Sequence, residues 1–82
     1  MKGRRTRQQV YEYTAFFEKN EDGGYTVTVP SLLGLVTEGK NLEDARAMAE
    51  DAIRCYVEGL KKLHGSIPRE QSAAQMRIAV SV

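Results

Sequence analysis

From Val10 the chain alternates. Tyr11, Tyr13, Ala15 and Phe17 fall on one side, and Glu12, Thr14, Phe16 and Glu18 on the other. A period of two with aromatic and small apolar residues on one side predicts a half-buried strand ending near Lys19. Asn20-Glu21-Asp22-Gly23-Gly24 then offers the small and positive-φ residues of a hairpin loop. The alternation resumes with Tyr25, Val27 and Val29 on one face, which makes an antiparallel hairpin. Pro30 has no N–H for a ladder, so the second strand stops there. Ser31-Leu32-Leu33-Gly34 turns the chain into a short third strand, Leu35-Val36-Thr37-Glu38, closed by Gly39.

After Gly39 the period changes. Asn41 is a good N-cap, and Glu43 and Asp44 place carboxylates in the first turn, where they complement the helix dipole. A helix is predicted from Leu42 to about Leu63. Leu42, Ala45, Met48, Ala49, Ala52, Ile53, Cys55, Tyr56, Gly59, Leu60 and Leu63 share one broad arc, which packs on the sheet. Glu50–Arg54 and Glu58–Lys62 have the favourable i,i+4 order on the wet side. His64 sits in the last turn, Gly65 is the natural C′ residue, and Pro68 prevents resumption. Met76, Ile78, Val80 and Val82 alternate with Arg77, Ala79 and Ser81, predicting a fourth strand after a 66–75 connector. The order is βββαβ, an α+β arrangement with a small antiparallel-rich sheet and one long helix on one face. The other face is left open, with Phe16 as its one large apolar residue.

At 82 residues there is room for one small domain, and 41% hydrophobic with 28% charged residues is the balance of a globular chain. A domain this short has a thin stability margin, which self-association widens, so a homodimer or homotetramer is expected. The net charge of +1 hides a segregation. Four of the twelve bases, Lys2, Arg4, Arg5 and Arg7, lie in residues 1–9, a basic arm with no acid and no apolar periodicity. The domain proper, residues 10–82, therefore sets eight bases against eleven acids and carries −3.

Little in the chain points to catalysis. A single cysteine, Cys55, and a single histidine, His64, give neither a nucleophilic triad nor a structural zinc site, and no metal or cofactor is expected. Cys55 falls in the apolar arc and reads as a small core residue, while a helix-end position accounts for His64. Glu12, Asp51 and Glu58 are dispersed, so a metal-dependent nuclease is disfavoured. The absence of an apolar run long enough for a membrane span or signal core, with one unpaired cysteine, points to the cytoplasm. The arm is the one basic feature. Lys2, Arg4, Arg5 and Arg7 suit phosphate contacts, which makes a small nucleic-acid-binding protein the alternative reading, although a solubilising tail explains them as well.

Gly24-Tyr25-x-Val27-x-Val29-Pro30-x-Leu32-x-Gly34-x-x-Thr37-x-Gly39-x-x-Leu42-Glu43-Asp44-Ala45, continuing to Ala49 and Ala52, resembles the HicB-like antitoxin family of prokaryotic type II toxin–antitoxin systems. The resemblance covers about residues 10–82. It implies a reduced ribonuclease-H-like fold without nuclease activity, which neutralises a small basic HicA-type toxin that cleaves messenger RNA by occluding its active site. Three departures stand out: Leu35 occupies a position where a cysteine is common, the basic arm before Val10 is longer than the family pattern implies, and no DNA-binding segment follows the fourth strand within these residues. On this reading the chain is a protein-binding module. Glu18, Glu21, Asp22, Thr26, Thr28, Ser31, Leu32 and Leu33 are the expected contacts, because an uncovered edge or loop offers hydrogen bonds and anchors. Gly24, Pro30, Gly34 and Gly39 are assigned instead to backbone geometry.

Overall fold

The computed structural model describes residues 9–70 and 76–82. Three strands, β1 (Phe16–Lys19), β2 (Tyr25–Thr28) and β3 (Val36–Gly39), form an antiparallel sheet in the order β1-β2-β3, followed by one helix, α1 (Leu42–Lys62). Phe17 faces Val27 across the first pair, and Val27 faces Thr37 across the second. Burial alternates along the whole predicted first strand: Tyr11, Tyr13, Ala15 and Phe17 are partly covered, and Glu12, Thr14, Phe16 and Glu18 are exposed. Only the last four residues of that stretch pair with β2, since the short hairpin offers no partner for the rest.

The β1–β2 loop closes as a type I turn followed by a left-handed glycine. Gly23 has φ +93° and donates its N–H to Asn20 O at 3.1 Å, while Asn20 N–H donates to Gly24 O at 2.7 Å. Between β2 and β3 two consecutive turns, Leu32 N–H to Val29 O and Leu35 N–H to Leu32 O, fold Leu32 inward. Gly34 takes φ +80° there, which supports its assignment to geometry.

Asn41 Oδ1 accepts from Asp44 N–H at 2.8 Å, and Asp44 Oδ2 accepts from Lys40 N–H at 2.8 Å, a reciprocal cap that starts α1. At the other end Gly65 N–H reaches Leu60 O and His64 N–H reaches Lys61 O, the two bonds of a Schellman motif. The left-handed residue of that motif is His64, at φ +56°, and not Gly65 as the sequence suggests. On the wet side Arg54 bonds Glu50 at 3.1 Å and Arg46 approaches the same carboxylate at 3.7 Å, while Glu58 and Lys62 form no ion pair.

Seven apolar side chains are buried among the described residues. Val27, Ala45 and Ala49 form one cluster, and Val29, Leu32 and Leu35 form another, sealed by Tyr13, Ala52, Ile53 and Tyr56. Val57 completes the set. The helix stripe is rotated from the predicted arc toward Ile53 and Val57, so Leu42 and Met48 lie exposed on its flank. Cys55 lies there too and is exposed rather than core, because three short strands cover only a narrow stripe of α1. Gly39 is pressed against the helix, where a Cβ added to it would sit 2.3 Å from Ala45 Cα.

The predicted fourth strand is not formed. Residues 76–82 pair with no strand among the described residues, and Met76, Ile78, Val80 and Val82 are 73% or more exposed. The described architecture is therefore βββα.

Candidate partner-binding surface

With α1 on one face, the side chains that alternate away from it form the open face. Phe16 and Glu18 from β1 and Thr28 from β2 are exposed, and Thr26 is half-covered with its hydroxyl donating to Asn20 Oδ1 at 2.9 Å. Register sets Phe16 opposite Thr28 and Glu18 opposite Thr26, so these four form two cross-strand rows. β3 continues the rows with Val36 opposite Thr28 and Glu38 opposite Thr26, so the face combines hydroxyls and carboxylates with two exposed apolar side chains, Phe16 and Val36, which suits a polar protein contact with apolar anchors.

At the hairpin end the face runs into an acidic corner. Asp22, Glu38 and Asp44, with Asn20, Gly24, Gly39 and Lys40, line a shallow cleft of about 350 Å³. Two of its carboxylates are already committed, Asp22 to Gly24 N–H at 2.9 Å and Asp44 to the helix cap, which fixes their position. Glu21 is exposed at the loop tip. Of this corner, the sequence reading selects Glu21 and Asp22 but not Glu38 or Asp44. These last two look unremarkable in sequence and are gathered only by the close approach of Gly39 to Ala45.

The opposite end is organised by the connector. Glu70 accepts from Thr14 N–H at 2.7 Å, from the Thr14 hydroxyl, and from the Ser31 hydroxyl at 3.0 Å. Those bonds, the Thr14 hydroxyl first, hold the Glu70 carboxyl below the usual carboxylate range. Tyr13 donates its phenol to Pro68 O at 2.6 Å, and the Arg69 guanidinium stacks 4.8 Å from the centre of the Tyr11 ring. Nothing in the sequence gives Tyr11, Tyr13, Arg69 or Glu70 a role at this corner. An acid after the Pro68 break carries no local signal of a partner 56 residues away.

The eight expected contact residues thus divide. Glu18, Glu21, Asp22 and Thr28 are exposed along the face and loop, Thr26 and Ser31 are partly covered, and Leu33 stands 87% exposed in the 29–35 turn. Leu32 has no solvent exposure and belongs to the core, so it is withdrawn from the contact set. The basic side chains Lys2, Arg4, Arg5 and Arg7 lie outside the described residues. Among the described residues no three histidine, cysteine or acidic side chains converge as metal ligands.

Comparison with known proteins places these features in a group. The sequence profile described as "HicB_like antitoxin of bacterial toxin-antitoxin system" matches residues 13–80. A UPF0150 protein of Thermoplasma acidophilum is 44% identical over 61 residues, covering 74% of this chain and 88% of the relative. One of Synechocystis is 38% identical over 65 residues, covering 79% and 82% respectively. A third, of Archaeoglobus fulgidus, is 38% identical over 52 residues, covering 63% and 75%. No solved structure matches.

Proposed function

Because the chain belongs to the HicB-like antitoxin family of bacterial toxin–antitoxin systems, we propose that it binds a small HicA-type toxin and neutralises it by covering the active site. The observation that carries this reading is the family match over residues 13–80, which spans both the open face and the connector. Its role is then binding without catalysis. Glu18, Thr26, Thr28, Glu21 and Asp22 make the polar contacts, Ser31 borders them, and Leu33 is the apolar anchor. Residues 10–82 carry −3, and Asp22, Glu38 and Asp44 concentrate that charge at one corner, which favours encounter with a basic toxin. No described helix is long and apolar enough to cross a membrane, and the site of action on this reading is the cytoplasm.

The test is co-expression with a short, basic, histidine-containing reading frame beside the gene. Growth rescue and a co-purifying complex are expected, and Glu18→Lys combined with Thr28→Arg should abolish both while leaving the helical circular dichroism unchanged. A toxin that neither binds nor is rescued would overturn the reading. Deletion of residues 1–9 serves as the control for the nucleic-acid alternative, and toxin inhibition is expected to survive it.

A further inference from the structure

We propose that residues 76–82 form the missing fourth strand on β1 of a second copy of this chain, exchanged reciprocally between the two. The segment is built as a strand. Met76, Ile78, Val80 and Val82 lie on one side, Arg77, Ala79 and Ser81 on the other, and every one of the seven is exposed. Four large apolar side chains in a row, each 73% or more exposed, are unstable in water without a cover.

The sheet supplies the acceptor. β1 is an edge of the sheet, since its only neighbour among the described residues is β2. The Asn20 N–H to Gly24 O bond fixes the phase of that pair. Alternation then makes Glu18–Thr26 and Phe16–Thr28 the hydrogen-bonded pairs and turns the N–H and C=O of Ala15, Phe17 and Lys19 outward. Such a row is a template for a further strand. A groove of about 400 Å³ lined by Ala15, Phe16, Phe17, Glu18 and Thr28 runs along it. Seated there with its apolar side toward the helix layer, the segment would extend the cluster to which Ala15 and Phe17 belong. Arg77 would fall on the open face beside Glu18, with opposite charge.

A second copy is favoured over the chain's own edge because 76–82 lie exposed and unpaired while that edge stands open. Glu70 is tied to Thr14 and Ser31, and Tyr13 is tied to Pro68, so residues 68–70 are held at the start of β1. An extended segment already free of its own sheet is the donor arrangement of a strand exchange. This inference stands apart from the toxin reading and uses none of its contacts except Glu18 and Thr28, which border the groove.

The experiment is performed on the 82-residue chain. Light scattering coupled to size exclusion should give twice the 9.2 kDa chain mass. A sample mixed from two isotope labellings should show contacts between the Ile78 and Val80 methyls of one copy and Ala15 and Phe17 of the other. Ile78→Asp, which sets a carboxylate among the apolar side chains facing the helix layer, should convert the dimer to a monomer with unchanged helical content. A monomeric parent chain, contacts confined within one copy, or a dimer that survives Ile78→Asp would each overturn the proposal. The isotope readout decides it even if that variant fails to fold.

Discussion

Leu32 and Leu33 stand side by side in the 29–35 turn, the first without solvent exposure and the second 87% exposed. No period governs a seven-residue turn, so the sequence offers both as anchors; the Leu32 N–H to Val29 O bond decides which one faces inward. Leu32→Ala is expected to cost about 2–5 kcal/mol, the range for emptying a core site, measured by urea unfolding. Leu33→Ala should stay within about 0.5 kcal/mol in the same assay and lower toxin affinity instead. His64 offers a different kind of test. A non-glycine residue in the left-handed region is strained by about 1 kcal/mol, so His64→Gly should raise stability by roughly that amount, seen as a higher melting temperature. Gly65 was the more natural candidate for that conformation because glycine adopts it without strain. The helix's last hydrogen bonds, which are not visible in composition, place it one residue earlier.

At the level of elements, the three strands and the helix were legible because each carries its own period and its own punctuation. Asn20 to Gly24, Pro30, Gly39 and Asn41 mark boundaries to within a residue or two, whereas β1 begins at Phe16, six residues after the alternation starts at Val10. What periodicity leaves open is the width and phase of the buried helix stripe. These depend on how much sheet lies beneath α1, and so Val57 is buried while Met48 and Cys55 are not. The fourth strand shows the same limit, since a period of two identifies a strand without naming the edge that receives it. The connector between these elements makes a pH prediction. Glu70 has a folded-state pKa below its unfolded value, so its stabilising bonds are fully present above the ordinary glutamate range. They are lost as pH falls through the depressed folded value. The protection factor of the Thr14 amide, taken relative to the intrinsic exchange rate at each pH, should therefore fall on acidification, and Glu70→Gln should reduce that pH dependence.

Considered whole, the described body is a sheet with a helix on one side and an open face on the other, and four of its eleven acids, Glu21, Asp22, Glu38 and Asp44, are gathered at the hairpin end. Association with a basic toxin should accordingly slow as salt is added, chiefly through the on-rate, as stopped-flow mixing at graded ionic strength would record. The surface was half legible in sequence. Exposed strand positions follow from alternation, whereas Glu38 and Asp44 join Asp22 only through tertiary approach. The contact of Gly39 with Ala45 carries a last consequence. With no space for even a methyl group between them, sheet and helix meet backbone to backbone here, and any rocking of one layer on the other has to begin by separating that contact. A partner docking across this seam meets a shape already set, and the adjustment falls to whatever docks on it.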